Sequence, residues 1–206
     1  MNKYLFLFLL IVSVFAFACP KSASDVGAAP TVKRDVKPVA DKEIAIIEME
    51  NAAAYGPITL ELYSNIAPEM VARFKELAKS GFYNGVAFHR ISQDVIQAGD
   101  PNSKDNDPSN DGAGGSDKED VPAEFSDIPF EPGILGAARM GSDVNSANSQ
   151  FFIMRTRQPQ FDYKYTVFGK VIEGMGNVSV IAGNKAPGER PLDKIIIKTI
   201  RIEEKK

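Results

Sequence analysis

The sequence predicts a mostly β fold, a closed eight-stranded antiparallel β-barrel with two flanking α-helices. Three observations lead there. Short apolar or alternating segments recur along the chain, separated by turns rich in Gly, Pro, Asp and Asn. Only two stretches carry signals of a helix, and both are short. No strand–helix–strand series runs through the chain, which leaves antiparallel pairing with the helices outside the barrel.

The elements follow in order. "EIAIIEME" (43–50) and "PITLELY" (57–63) read as strands. In the second, Ile58, Leu60 and Leu62 share one face, and Thr59, Glu61 and Tyr63 take the other. "APEMVARFKELAKSG" (67–81) reads as a helix. Pro68 suits its first turn, Val71, Phe74 and Leu77/Ala78 form an apolar stripe, and Gly81 can close it in a left-handed cap. "GVAFHRI" (85–91) and "DVIQAG" (94–99) follow as strands, and residues 101–120 as a polar, acidic loop. "GILGAAR" (133–139), "SQFFIMR" (149–155) and "YTVFGKVI" (165–172) are strand-like. "MGNVSVIAG" (175–183) gives a second short helix, and "KIIIKTIRIEE" (194–204) a final strand.

Ahead of this domain, residues 1–18 read as a secretory signal. Lys3 precedes an apolar run from Tyr4 to Ala18 that is too short to span a bilayer comfortably. Ala16-Phe17-Ala18 fits an A-x-A cleavage site and also resembles a bacterial lipobox, in which Cys19 would become the lipidated first residue. The alternative is a plainly secreted protein with an incidental Cys. Cys19 is the single cysteine of the chain, and a free thiol is a liability in an oxidising compartment. Residues 19–42 have no hydrophobic period and many small or charged residues, and read as a lipidated Cys with a disordered tether. The folded domain is expected over 43–206.

Composition narrows the chemistry. A formal net charge of −3 argues against a nucleic-acid partner. One His, one Cys and no Trp nearly exclude the usual metal sites and Cys/His nucleophile pairs. "EGMGNVSVI" contains a G-x-G through Gly174 and Gly176, but Ser179 holds the third glycine position, so a dinucleotide site is disfavoured. Asp107, Ser109, Asp111 and Gly112 resemble a calcium loop, but Lys118 stands where its bidentate Glu belongs. His89, alone in an apolar strand, reads as a core residue with its hydrogen bonds satisfied.

Five motifs in series carry a resemblance. "FHR" followed by "QAGDP", then "PGILGAAR", "NSQFFI" and "YTVFGKVIEGM" are similar to the cyclophilins, peptidyl-prolyl cis-trans isomerases, over about Ile44 to Ile202. The short connection "KSGFYNGVAFHR" resembles the compact bacterial members, and the N-terminus a bacterial lipoprotein. The chemistry this implies needs no cofactor and no metal. Amide resonance raises a rotation barrier of roughly 18–20 kcal/mol. A positioned cation that donates to the proline nitrogen stabilises the twisted amide over both planar forms, and arginine is permanently charged and rigid in its donor geometry.

The resemblance assigns that catalytic role to Arg90, with His89 on the opposite face of the strand as a structural residue. It places Gln97 and Gln150 as the glutamines that contact substrate and hold the arginine, and Phe152 as the floor of the proline pocket. Ala138, Arg139 and Val95 are implied along the substrate groove, Phe161 in the pocket wall, and Tyr165 where many members carry a histidine. There are departures. Seven positions separate Arg90 from Gln97, one fewer than usual in the family, and a pocket-lining Phe-Met pair is replaced within Asp94, Val95 and Ile96. Gln160 stands where a Trp accompanies tight cyclosporin binding.

Two functions are therefore carried forward. One is an active isomerase acting on X-Pro bonds of extracytoplasmic proteins, a monomer held to the membrane only by a lipid anchor, in the bacterial cell envelope. The other is a non-catalytic proline-peptide-binding chaperone module, for which the shortened 91–96 segment speaks.

Overall fold

The computed structural model describes residues 30–205. Among them are strands β1 (Glu43–Met49), β2 (Ile58–Leu62), β3 (Arg90–Ile91), β4 (Val95–Ala98), β5 (Ile134–Ala137), β6 (Phe151–Met154), β7 (Val167–Glu173) and β8 (Ile197–Glu204). All eight join one antiparallel sheet in the order β3-β4-β6-β5-β7-β2-β1-β8. Two α-helices accompany it, α1 (Pro68–Lys79) and α2 (Met175–Ala182).

The sheet is curled but open, which corrects the expectation of a closed barrel. β3 and β8 are its edges. No continuous ladder joins them. The chain just before β3 meets the chain just before β8 through an isolated bridge, Ala87 to Ile196. Gly85 and Phe88 donate to the carbonyls of Ile197 and Ile195, both at 2.9 Å, and Ile197 donates to Val86 at 2.8 Å. The expected strand 85–91 is reduced to Arg90–Ile91. One reason is local: the Ala87 N–H donates to Ser103 Oγ at 2.9 Å rather than to another strand.

The core shows why these residues form these elements. α1 buries Val71, Phe74, Leu77 and Ala78, the predicted stripe, and Met70 beside them. Phe74 meets Tyr83, Phe151 and Phe168 at ring distances of 5.4, 5.4 and 5.5 Å. Each such fully buried aromatic contributes about 1.5–3 kcal/mol by removal from water. Ala67, at the N-cap of α1, has no side-chain acceptor to offer. Glu124 supplies one from far along the chain, accepting from the N–H groups of Glu69 at 3.2 Å and Met70 at 2.9 Å. Gly81, at φ +75°, turns the chain away after the helix as expected.

Gly174, at φ +92°, opens α2, and a Cβ there would lie 2.4 Å from the Pro57 carbonyl oxygen. Glycine is needed at this position for a close backbone approach, and Gly176 has open space around it. The G-x-G is thus explained by chain packing.

Part of the expected disordered tether is ordered. From Lys33 to Asp41 the chain is pinned to the domain. Lys33 pairs with 125–127, donating its N–H to Phe125 at 2.8 Å and accepting from Asp127 at 3.0 Å. Its ammonium donates to the Ile66 carbonyl at 2.7 Å. Asn65 accepts from the Val39 N–H at 3.0 Å and donates to Lys37 at 2.9 Å. Asp41 pairs with Lys75 at 2.6 Å. Polar composition suggested disorder, but here backbone groups and polar side chains, not apolar burial, hold the segment. The expected signal over 1–18 and Cys19 lie outside the described residues.

Candidate active site

One rung of the sheet assembles the site. Arg90 on β3 lies opposite Gln97 on β4, Gln97 opposite Phe152 on β6, and Phe152 opposite Gly136 on β5. The β3–β4 connection explains the short spacing. Ile91 faces Ile96, and Ser92 donates to the Val95 carbonyl at 2.9 Å. Only Gln93 and Asp94 remain in the loop, and Ser92 Oγ accepts from the N–H groups of Asp94 at 3.1 Å and Val95 at 3.0 Å. The missing residue is absorbed by a tight hairpin, and Arg90 and Gln97 keep their register.

A polar relay runs along the rung. Arg90 Nη1 donates to Gln97 Oε1 at 3.2 Å, and Gln97 Nε2 donates to Gln150 Oε1 at 2.9 Å. Gln150 Nε2 donates to the carbonyls of Gly112 at 3.0 Å and Gly114 at 2.8 Å. Backbone carbonyls thus fix both amide orientations, and the last acceptor in line takes the guanidinium. Arg90 Nε donates to Glu189 Oε2 at 2.7 Å.

Beside the relay sits an aromatic box. Phe152 has Phe130 stacked at 5.8 Å, Phe161 edge-on at 5.8 Å and Tyr165 edge-on at 5.6 Å. Alternation along β6 sends Phe151 into the main core and Phe152 to this second cluster. The Phe152 ring lies over Gly136, where a Cβ would fall 2.3 Å from its Cζ. Val95 is 2% exposed and packs within the cluster, so it props the floor rather than lining the groove. Arg139 folds back, its guanidinium carbon 4.6 Å from the Tyr165 ring centre and its Nη2 donating to the Lys164 carbonyl at 3.0 Å. The wall loop is tied to Phe130 through Asp162, which accepts from the Phe130 N–H at 2.9 Å and pairs with Arg157. Burial pushes the Asp162 carboxyl up, but Arg157 and the Phe130 N–H outweigh it and hold it below the usual range.

A groove of about 560 Å³ adjoins the box, lined by Gln97, Ala138, Arg139, Met140 and Gln150 among others. A second hollow of about 330 Å³ is lined by Arg90 itself, with His89, Asp111, Glu189 and Arg190 on its walls, and shares Gln97 and Arg139 with the groove. His89 corrects its expectation in part. The side chain is buried, at 7% exposure, but neither ring nitrogen has a partner among the described residues. Burial holds the ring pKa below its ordinary value, so the imidazole is kept neutral. The Asp107–Ser109 segment is a local turn, Asp107 Oδ1 accepting from the Ser109 N–H at 2.9 Å.

Arg90, Gln97, Ala138, Gln150, Phe152, Phe161 and Tyr165 are therefore brought together. Sequence reasoning missed Phe130, Gly136 and Glu189. Phe130 lies in a turn-rich stretch without a hydrophobic period, Gly136 is one glycine among sixteen, and Glu189 lies in a polar loop without periodicity.

The comparisons with known proteins agree with this geometry. The profile of the cyclophilin type peptidyl-prolyl cis-trans isomerases matches residues 46–202. A probable peptidyl-prolyl cis-trans isomerase of Brucella suis is 45% identical over 159 residues, covering 73% of this chain and 80% of the relative. A Dictyostelium discoideum peptidyl-prolyl cis-trans isomerase is 40% identical over 149 residues, 69% of this chain and 88% of that one. The crystal structure of a Cryptosporidium parvum cyclophilin type isomerase superposes with a TM-score of 0.71 at 29% identity, covering 80% of this chain and 99% of that one. The structure of that protein in the presence of the dipeptide Ala-Pro gives 0.70 at 28% identity, covering 79% and 99%. The chain belongs to the cyclophilin-type peptidyl-prolyl cis-trans isomerases. It is an isomerase of that type.

Proposed function

We propose that the protein isomerises X-Pro bonds of polypeptides outside the cytoplasm, with Arg90 as the catalytic residue. The observation that carries the mechanism is the Arg90–Gln97–Gln150 relay beside Phe152. The proline ring rests against Phe152, between Phe161 and the relay. Rotation about the amide pyramidalises the proline nitrogen and localises its lone pair. An Arg90 N–H donates to that lone pair and stabilises the twisted state, with no bond made or broken. Ala138 and the backbone at Arg139 border the residue before proline, and Tyr165, held by Arg139, completes the wall.

The location rests on the sequence. Residues 1–18 read as a signal and Cys19 as a lipidation site, which supports a lipid-anchored enzyme, taken as a monomer, at the bacterial cell envelope acting on unfolded secreted chains. Proline-containing peptides as substrates are supported by the related structure obtained with Ala-Pro. The binding-module alternative loses its main support, because the short 91–96 segment leaves Arg90 opposite Gln97.

A protease-coupled isomerisation assay on a panel of X-Pro peptides tests the activity. Turnover by wild type and its loss in Arg90→Ala are expected. Binding without turnover overturns the proposal. Mass spectrometry of the membrane fraction tests the anchor: a diacylglyceryl-modified Cys19 is expected, and a soluble protein with an unmodified Cys19 overturns it.

A further inference from the structure

Arg90 is held from two sides. Gln97 takes an Nη1 hydrogen at 3.2 Å, and Glu189 takes the Nε hydrogen at 2.7 Å. The second contact is the shorter one and is charge-assisted, the stronger class of hydrogen bond. A guanidinium has five N–H donors. With Nε engaged, the hydrogens left for a substrate all sit on the two Nη nitrogens. The carboxylate therefore decides which edge of the guanidinium faces the reacting amide.

Glu189 is placed with some strain. It has φ +67°, a left-handed conformation that non-glycine residues seldom adopt, and it follows Gly188 at φ +61°. The loop around it is closed by its own hydrogen bonds. The Glu189 N–H donates to Ala186 at 3.0 Å, and Leu192 donates to Lys185 at 3.0 Å across the base. Arg190 reaches across to the Pro108 carbonyl. The turn Pro187–Glu189 thus hands one carboxylate to one arginine.

The pair does little for stability. The Arg90 and Glu189 side chains are 43% and 48% exposed, and ion pairs so wet are heavily screened. A strained backbone, a loop tied down at both ends and an ion pair too exposed to matter for folding converge on the arginine of the relay.

We infer that Glu189 is a positioning residue for the isomerisation, presenting the Nη edge of Arg90 to the twisted amide before substrate arrives. This rests on the isomerase reading of the same site. Holding the guanidinium removes a reorganisation step at the moment of reaction, the kind of gain that preorganised donors give. The ground-state peptide, with a planar amide, does not need the contact. The contribution therefore belongs in kcat, with KM nearly unmoved.

Glu189→Ala is expected to lower kcat on an X-Pro peptide by about tenfold, with KM and melting temperature unchanged. Glu189→Gln keeps an oxygen acceptor in place and is expected to recover most of the loss. NMR of the Arg90 Nε–H gives a readout independent of activity: slow solvent exchange in wild type, fast exchange in Glu189→Ala. Unchanged or raised turnover in Glu189→Ala overturns the inference, as does a loss that follows melting temperature and is not recovered by Gln. If wild type itself fails to turn over any peptide, the isomerase reading fails instead. The NMR readout still shows whether Glu189 holds the arginine.

Discussion

Arg90 and Gln97 face each other across a two-residue hairpin loop, seven positions apart, and the guanidinium donates to the amide oxygen at 3.2 Å. The two-residue loop, with Ser92 Oγ accepting from the Asp94 and Val95 N–H groups, sets the register that pairs them.

Arg90→Ala is expected to lower kcat/KM by roughly 10²–10³, about 2.7–4 kcal/mol of transition-state stabilisation, by analogy with the loss of one preorganised donor. Arg90→Lys should recover only part, since an ammonium lacks the fixed fork and is more strongly hydrated. Equilibrium peptide binding should fall far less. Kinetics at matched folded fraction, checked by circular dichroism, decide this.

Gly136→Ala tests the floor of the box. The new methyl would lie 2.3 Å from Phe152 Cζ, so the ring must shift. Phe130 packs against the same ring at 5.8 Å and limits where it can go. A stability loss of about 1–3 kcal/mol is expected, with a raised KM for proline peptides. Thermal melting beside steady-state kinetics reads both, and an unchanged KM would refute the role given to Phe152.

His89 gives a pH dependence of known sign. Burial holds its folded pKa below the ordinary 6.5, so the unfolded chain binds the proton more readily. Stability is then full above about pH 6.5 and is lost as pH falls from there through the folded pKa. Denaturant unfolding at a series of pH values should show this slope, and His89→Leu should flatten it. Turnover per folded molecule should survive His89→Gln. If that change abolishes turnover while Arg90→Ala does not, the roles within "FHR" are reversed.

Gln160 precedes Phe161 and is exposed, without an indole to offer. Inhibition by cyclosporin should be much weaker than in Trp-bearing members, and Gln160→Trp should tighten it. Nanomolar inhibition of wild type would contradict the alignment of this position.

What could be read from the sequence was local. Alternation in "ITLEL", the stripe through Val71, Phe74 and Leu77, and the left-handed Gly81 follow from spacing and were found where expected. The opposite aims of Phe151 and Phe152 follow from strand geometry. Features that depend on distant partners escaped. Glu124 caps α1 from 54 and 55 positions away, and Glu189 meets Arg90 across 99. Residues 33–41 look like linker by composition, since polar and backbone contacts leave no hydrophobic period. The strand-like composition of "GVAFHRI" points to a closed barrel, whereas the Ala87 N–H turns to Ser103.

The open edge has a consequence for how this enzyme ages under heat. Arg90 rides on the shortest strand of the sheet, two residues long, with a ladder on one side only. Segments with few backbone partners open locally at free energies well below that of global unfolding. Heating should therefore silence the enzyme before it melts, with amide exchange faster around Arg90 than in β1 and β2, so that activity marks the fraying of one seam and not the loss of the fold.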